Sequence, residues 1–92
     1  MNKKRMQVFF SGTVQGVGFR FTAERLARRF PVTGFVRNLE DDRVEVTAEG
    51  EETQLVKFLT AIRNSGMKDY IRDVEARWSE AQGCFKGFGI TF

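Results

Sequence analysis

Met6, Val8 and Phe10 alternate along the chain, putting three apolar side chains on one face of a strand predicted over residues 6 to 13, with Phe9 on the other. The period then changes. From Phe21 to Phe30, the residues Ala23, Leu26, Ala27 and Phe30 fall at i, i+3, i+4 and i+7, a spacing that lines one face of a helix, and Pro31 ends it. Alternation returns over Val32 to Leu39 and Arg43 to Ala48, with Val44, Val46 and Ala48 facing one way. The polar run Glu40-Asp41-Asp42 between them predicts a tight turn and therefore a hairpin. Glu51 and Glu52 place negative charge where a helix begins, and Leu55, Phe58, Leu59 and Ile62 repeat the helical spacing until Asn64-Ser65-Gly66 stops it. Val74, Ala76 and Trp78 alternate in a fourth strand, and Phe88, Ile90 and Phe92 in a short last one.

The predicted order is β-α-β-β-α-β, with the final strand either single or split. That order is an α+β pattern, the ferredoxin-like α/β sandwich: one antiparallel sheet of four to five strands with two helices on one face. No repeat or linker interrupts it, and 92 residues suit a single domain over 1–92. A fold of this kind hosts many functions, so function has to be argued from a site.

Composition removes several chemistries. The chain has no histidine, the commonest metal ligand and general base, and a single cysteine, Cys84, which excludes an internal disulfide and a cysteine-rich zinc cluster. The cytoplasm is the expected compartment. No run reaches the roughly 20 apolar residues of a membrane span, and the basic start Met1-Asn2-Lys3-Lys4-Arg5 leads into Gln7 and Ser11 rather than a signal-peptide core. A formal charge of +3 and a pI near 9.4 favour anionic partners without choosing among them.

The chemistry concentrates in Gly12-Thr13-Val14-Gln15-Gly16-Val17-Gly18-Phe19-Arg20, a connection with three glycines leading into a helix N-terminus. Glycines let the chain curl with positive φ so that successive N–H groups point inward, and the helix dipole adds roughly half a positive charge at that end. The result is an anion cradle. Arg20 sharpens the expectation, because a cation at the positive end of a helix is misplaced unless an anion sits there with it. Its planar fork suits two phosphate oxygens. In the β-α-β arrangement the first two strands run parallel, so Arg37-Asn38 ends at the same edge of the sheet as the glycine connection. With the third strand between them the separation is roughly 9–10 Å, enough for a phosphate and one water held by Asn38.

The run G-T-V-Q-G-V-G-F-R at 12 to 20, followed by G-F-V-R-N at 34 to 38 and V-E-V at 44 to 46, resembles the signature of the acylphosphatase family, and the element order agrees over essentially the whole chain. The resemblance implies a ferredoxin-like fold and hydrolysis of acyl phosphates to a carboxylate and phosphate. It implies a phosphate cradle of Gln15, Gly16, Val17, Gly18, Phe19 and Arg20, with Arg20 binding phosphate and Asn38 positioning the attacking water as the catalytic pair. Phe35 stands where a Trp is frequent, Asp42-Arg43 replaces the usual Asp-Gly turn, and Met67-Lys68-Asp69-Tyr70 lacks the usual Pro-rich approach to the fourth strand; none of these touches the cradle.

An acyl phosphate leaves as a carboxylate, already a weak base, so the reaction needs no general acid, and positioning plus electrostatics are the remaining tasks. The expectation is a metal-independent enzyme with no cofactor, a small-molecule acyl phosphate as its partner, no nucleic acid, no membrane, and a monomer. Cysteine-based phosphatases follow the nucleophile by an Arg six positions on, and six beyond Cys84 is Ile90, so Cys84 reads as a bystander. Glu40, Asp41 and Asp42 read as a solvated turn before a magnesium site, and Arg37 as a surface or ion-pairing residue on the face opposite Asn38.

The rival from another class is an RNA-binding module, for which Lys86-Gly87-Phe88-Gly89 and Val8-Phe9-Phe10 resemble two motif fragments. The first fragment resembles the start of a basic-aromatic octamer that belongs on a third strand, and the third strand here carries no aromatic residue. A regulatory module that keeps the cradle without turnover is the remaining alternative, and intact Arg20 and Asn38 argue against it.

Overall fold

The computed structural model describes residues 2–92; Met1, at the head of the basic start, lies outside the described residues. Strand β1 spans Lys3–Gly12, helix α1 Phe19–Ala27, β2 Thr33–Asn38, β3 Val44–Glu51, α2 Glu52–Arg63, β4 Ile71–Glu80 and β5 Phe88–Ile90, with a 3-10 turn at Lys68–Tyr70 leading into β4. The strands form one sheet in the order β4-β1-β3-β2-β5. This is the ferredoxin-like arrangement. The β1–β3, β1–β4 and β2–β3 ladders are antiparallel, whereas β5 runs parallel to β2. Side-chain alternation carries no strand direction, so that mixed edge is new: the chain leaves β4 at one edge and crosses to join the other.

Several boundaries shift for physical reasons. β1 begins at Lys3 rather than residue 6, because each cation at its start faces an acid on a neighbouring strand: Lys3 opposite Glu51, Lys4 opposite Glu80 and Arg5 opposite Glu49. α1 begins two residues early, at Phe19, and ends at Ala27. Beyond it, the N–H groups of Arg28, Arg29 and Phe30 reach back three residues to Arg25, Leu26 and Ala27, a tightening that lets the chain leave the helix before Pro31, whose ring disfavours helical backbone at Phe30. β3 extends from Ala48 to Glu51, and Phe92 falls beyond β5.

The two faces of the sheet differ. Met6, Val8, Phe10, Val36, Val44, Val46 and Ala48 are buried against Phe19, Ala23, Leu26, Leu55, Phe58 and Ile62 of the helices. Each large side chain buried this way stabilises the fold by about 1.5–3 kcal/mol. Phe58 anchors the aromatic part of this core, with ring centroids 5.9 Å from Phe30 and 5.5 Å from Phe88.

The other face has no helix, yet β3 is buried there too. Glu45 accepts hydrogen bonds from Gln7, Thr47 and Arg37, and Glu49 from Arg5 and from the backbone N–H groups of Gln82 and Gly83. The connection from β4 to β5 therefore straps over this face, with Phe85 edge-on to Phe35 and Arg5 over the Phe85 ring. Burial alone would raise both carboxyl pKa values, but these hydrogen bonds and the adjacent guanidinium groups outweigh it and hold both below the ordinary glutamate range.

Candidate active site

β1 ends at Gly12, and the N–H of Thr13 donates to Tyr70 O at 3.0 Å, tying the start of the connection to the segment that enters β4. Val14, fully buried, is its apolar anchor. Gly16 and Gly18 then adopt φ of 78° and 86°, the left-handed region that costs a residue with a Cβ roughly 1–2 kcal/mol. A Cβ at either would meet no atom within 4 Å, so the backbone conformation, not space, calls for glycine. Gly18 is the N-cap of α1 and supplies no capping side chain, nor does an acidic residue stand in the first turn. The ring of Phe19 packs 4.9 Å from that of Phe10, which fixes where the helix starts against β1.

These choices leave donors free. Thr22 N–H donates to Gly18 O at 3.0 Å, whereas among the described residues the N–H groups of 15 to 21 make no well-aligned bond of this kind, only the looser contacts of a tight turn over 15–18. A helix N-terminus leaves its first amides without backbone partners, and such a run behind left-handed glycines has the geometry of an anion cradle. Arg20 extends from the same turn. It has no carboxylate partner among the described residues, and its Cζ lies 4.8 Å from the ring centre of Phe92.

Gly16, Gly18, Phe19, Arg20 and Asn38 line one cavity of about 250 Å³, completed by Val14 and Phe21. The structure thus brings the end of β2 to the glycine turn, with β3 between them in the sheet. The side chains of Gln15 and Val17 do not line it. Val17 packs against the core, and Gln15 Nε2 donates to Leu39 O at 2.8 Å and Arg43 O at 2.9 Å. Gln15 is therefore a clamp between the cradle and the β2–β3 turn, a role that spacing alone gave no signal for. Phe92, which alternation placed on the last strand, is the other contact it missed.

Arg37 points to the opposite face and pairs with Glu45 at 2.8 Å. Asp41 pairs with Arg43 at 2.8 Å, closing the turn in which Asp42 takes φ 74°. Cys84 sits exposed on the strap with Arg5 Nη2 at 3.3 Å from its sulfur. Larger clefts, about 330 Å³ around Arg63 to Val74 and about 420 Å³ over the strapped sheet face, lack the amide run.

The sheet face on which an RNA would stack is also taken. Phe9 lies beneath Arg43 and Arg77, Phe35 is covered by Arg37 and Phe85, and Phe88 points into the core against Phe58. No aromatic platform remains there.

Fold and cavity together describe a ferredoxin-like sandwich with a cavity at the N-terminus of α1, lined by two left-handed glycines, one guanidinium and Asn38. The family model for acylphosphatase matches residues 6–90. An acylphosphatase of Roseiflexus sp. (strain RS-1) is 41% identical over 92 residues, covering 100% of this chain and 99% of that one, and one of Archaeoglobus fulgidus is 38% identical over 87 residues, covering 95% and 97%. The crystal structure of acylphosphatase from Bacillus subtilis aligns with a TM-score of 0.89 at 31% identity over 97% of this chain and 99% of that one. The chain belongs to the acylphosphatase family.

Proposed function

We propose that this protein hydrolyses acyl phosphates without a metal ion, by direct attack of a water held by Asn38 on a phosphate held by Arg20 and the amides of residues 15 to 20. The observation that carries the reading is that Gly16, Gly18, Phe19 and Arg20, at the uncapped start of α1, line one cavity together with Asn38. The amides and the guanidinium neutralise the equatorial phosphoryl oxygens, while Asn38 orients the water in line with the leaving carboxylate. The water oxygen bonds to phosphorus, the phosphorus–oxygen bond to the acyl group breaks, and its electron pair leaves on the carboxylate. No carboxylate or imidazole lines the cavity, so the water's proton passes to a phosphate oxygen.

The test is hydrolysis of benzoyl phosphate in excess chelator by the parent and by Asn38→Ala. Turnover by the parent, with kcat about 10²–10³-fold lower in the variant and KM little changed, is the expected result for loss of one positioning donor. A well-folded parent without turnover overturns the activity, and undiminished turnover in the variant overturns the role of Asn38.

A further inference from the structure

β4 pairs with β1 along one side and, among the described residues, with no strand along the other. Val74, Ala76 and Trp78 stand opposite Phe10, Val8 and Met6 and so lie on the helix face, where Trp78 remains 43% exposed. Glu75 and Arg77 stand opposite Phe9 and Gln7 on the other face, paired with each other at 2.8 Å within the chain, their side chains still 50% and 65% exposed. A ten-residue edge with an exposed tryptophan is a template for another strand unless its sequence forbids pairing.

This sequence selects one pairing. Laid antiparallel on itself about Ala76, the strand places Glu75 opposite Arg77 of the second copy, and Arg77 opposite Glu75 of the second copy. Val74 meets Trp78 twice on the apolar face, Ala76 meets Ala76 at the centre, and Asp73 meets Ser79. A shift of the two-fold to residue 75 gains Asp73 opposite Arg77 but sets Glu75 against Glu75 and loses the Val74–Trp78 contacts, and a shift to residue 77 sets Arg77 against Arg77. Like charges directly opposite are destabilising, and opposite charges and aromatic pairs stabilising, so charges that normally blunt an edge here discriminate among registers. The irregularity at Ser11/Gly12 leaves Arg72 without a residue opposite it on β1, which limits the regular ladder to Asp73–Ser79.

We propose that β4 is a self-association edge, through which a second copy of this chain pairs antiparallel about Ala76 to make one continuous sheet across both subunits. The two-fold makes the contact closed, so it yields a dimer rather than a filament. The monomer expected from chain length takes no account of this edge. A seven-residue ladder is small beside a standard interface, so the dimer is expected to dissociate in the micromolar range or above.

Sedimentation of the full chain over rising concentration tests this. The mass is expected to rise from 10.6 kDa toward twice that value as concentration increases to about 1 mM. Glu75→Arg and Arg77→Glu should each stay monomeric, because each sets like charges opposite one another. An equimolar mixture of the two should associate, since one copy then presents two cations and the other two anions at positions 75 and 77. Both positions are exposed and lie off the cradle, so acyl phosphate hydrolysis by each variant reports that it is folded. A parent that stays at 10.6 kDa throughout, single variants that dimerise like the parent, or a mixture that stays monomeric overturns the proposal.

Discussion

Gln15→Ala removes the clamp and leaves the cavity lining untouched. Two hydrogen bonds are lost, to Leu39 O and Arg43 O, but neither carbonyl is orphaned: Leu39 O still accepts from Asp42 N–H at 3.3 Å and Arg43 O from Leu39 N–H at 2.8 Å. The loss is therefore near the ordinary net value of a hydrogen bond, about 1–2 kcal/mol for the pair. For a domain of this size that lowers Tm by roughly 5–15 °C. The catalytic effect has a separate origin. Leu39 follows Asn38 directly, so in the proposed mechanism freeing this turn from the glycine connection lets the Asn38 amide drift relative to the phosphate, and a displacement of about 1 Å lowers a positioned reaction by up to about 10²-fold. The expected result is kcat down about 10- to 10²-fold, with inorganic phosphate binding changed far less, because Arg20 and the loop amides remain. Benzoyl phosphate kinetics at a temperature where the variant is fully folded, paired with thermal melts, separates the two effects. Gln15→Glu should do more harm, since it loses the same donors and adds a negative charge beside the anion site. A variant with lowered Tm but parental kcat refutes the positioning argument, and parental values of both refute the clamp.

Three further outcomes follow from the geometry. Asp42→Gly relieves a left-handed backbone at φ 74° and is expected to raise stability by about 0.5–1 kcal/mol, read as a higher denaturation midpoint with unchanged kcat. Gly18→Ala places a Cβ at φ 86° and is expected to lower stability by roughly 1–2 kcal/mol and to weaken phosphate protection in thermal melts; equal protection would show that the curl is not what aims the amides. Glu49, held below the ordinary glutamate range, contributes stability at neutral pH that is lost as pH falls through its lowered folded pKa. Glu49→Gln should therefore melt well below the parent at pH 7, and the gap should close under acid conditions below that range; a gap independent of pH would mean the carboxylate charge contributes nothing.

What the sequence reveals depends on which side of an interaction is local. Helices and strands were legible because Leu26 and Ala27, or Val44 and Val46, repeat at the period of their own element. The glycine turn was legible because Gly16, Gly18 and Arg20 conflict with an ordinary helix start, and the conflict sits at one place in the chain. The polar layer on the open sheet face was not legible. Glu45 lies between apolar positions and Glu49 beyond the predicted strand, and only Arg5 and the arrival of Gln82 and Gly83, more than thirty residues later, make Glu49 a buried acceptor. The Gln15 clamp hides for the same reason, since its acceptors are carbonyls, which every residue owns. The start of β1 hides because Lys3, Lys4 and Arg5 look like a charged tail until the acids opposite them are known.

A site made mostly of backbone has a particular consequence for what it can hydrolyse. In the proposed mechanism the cavity offers donors to the phosphate and a holder for water, and its lining residues supply no group able to protonate a leaving oxygen. A carboxylate departs without that help, whereas an alkoxide does not, so selectivity for acyl phosphates over alkyl phosphates arises from a missing acid rather than from a pocket shaped around the acyl group. The accuracy of the cradle then depends on the contacts that fix its backbone: Thr13 to Tyr70, Val14 in the core, Phe19 against Phe10, and Gln15 to the turn after Asn38. Substitutions at these anchors should alter kcat through geometry while leaving the order of preference among leaving groups unchanged, because that order is set by chemistry the site does not perform.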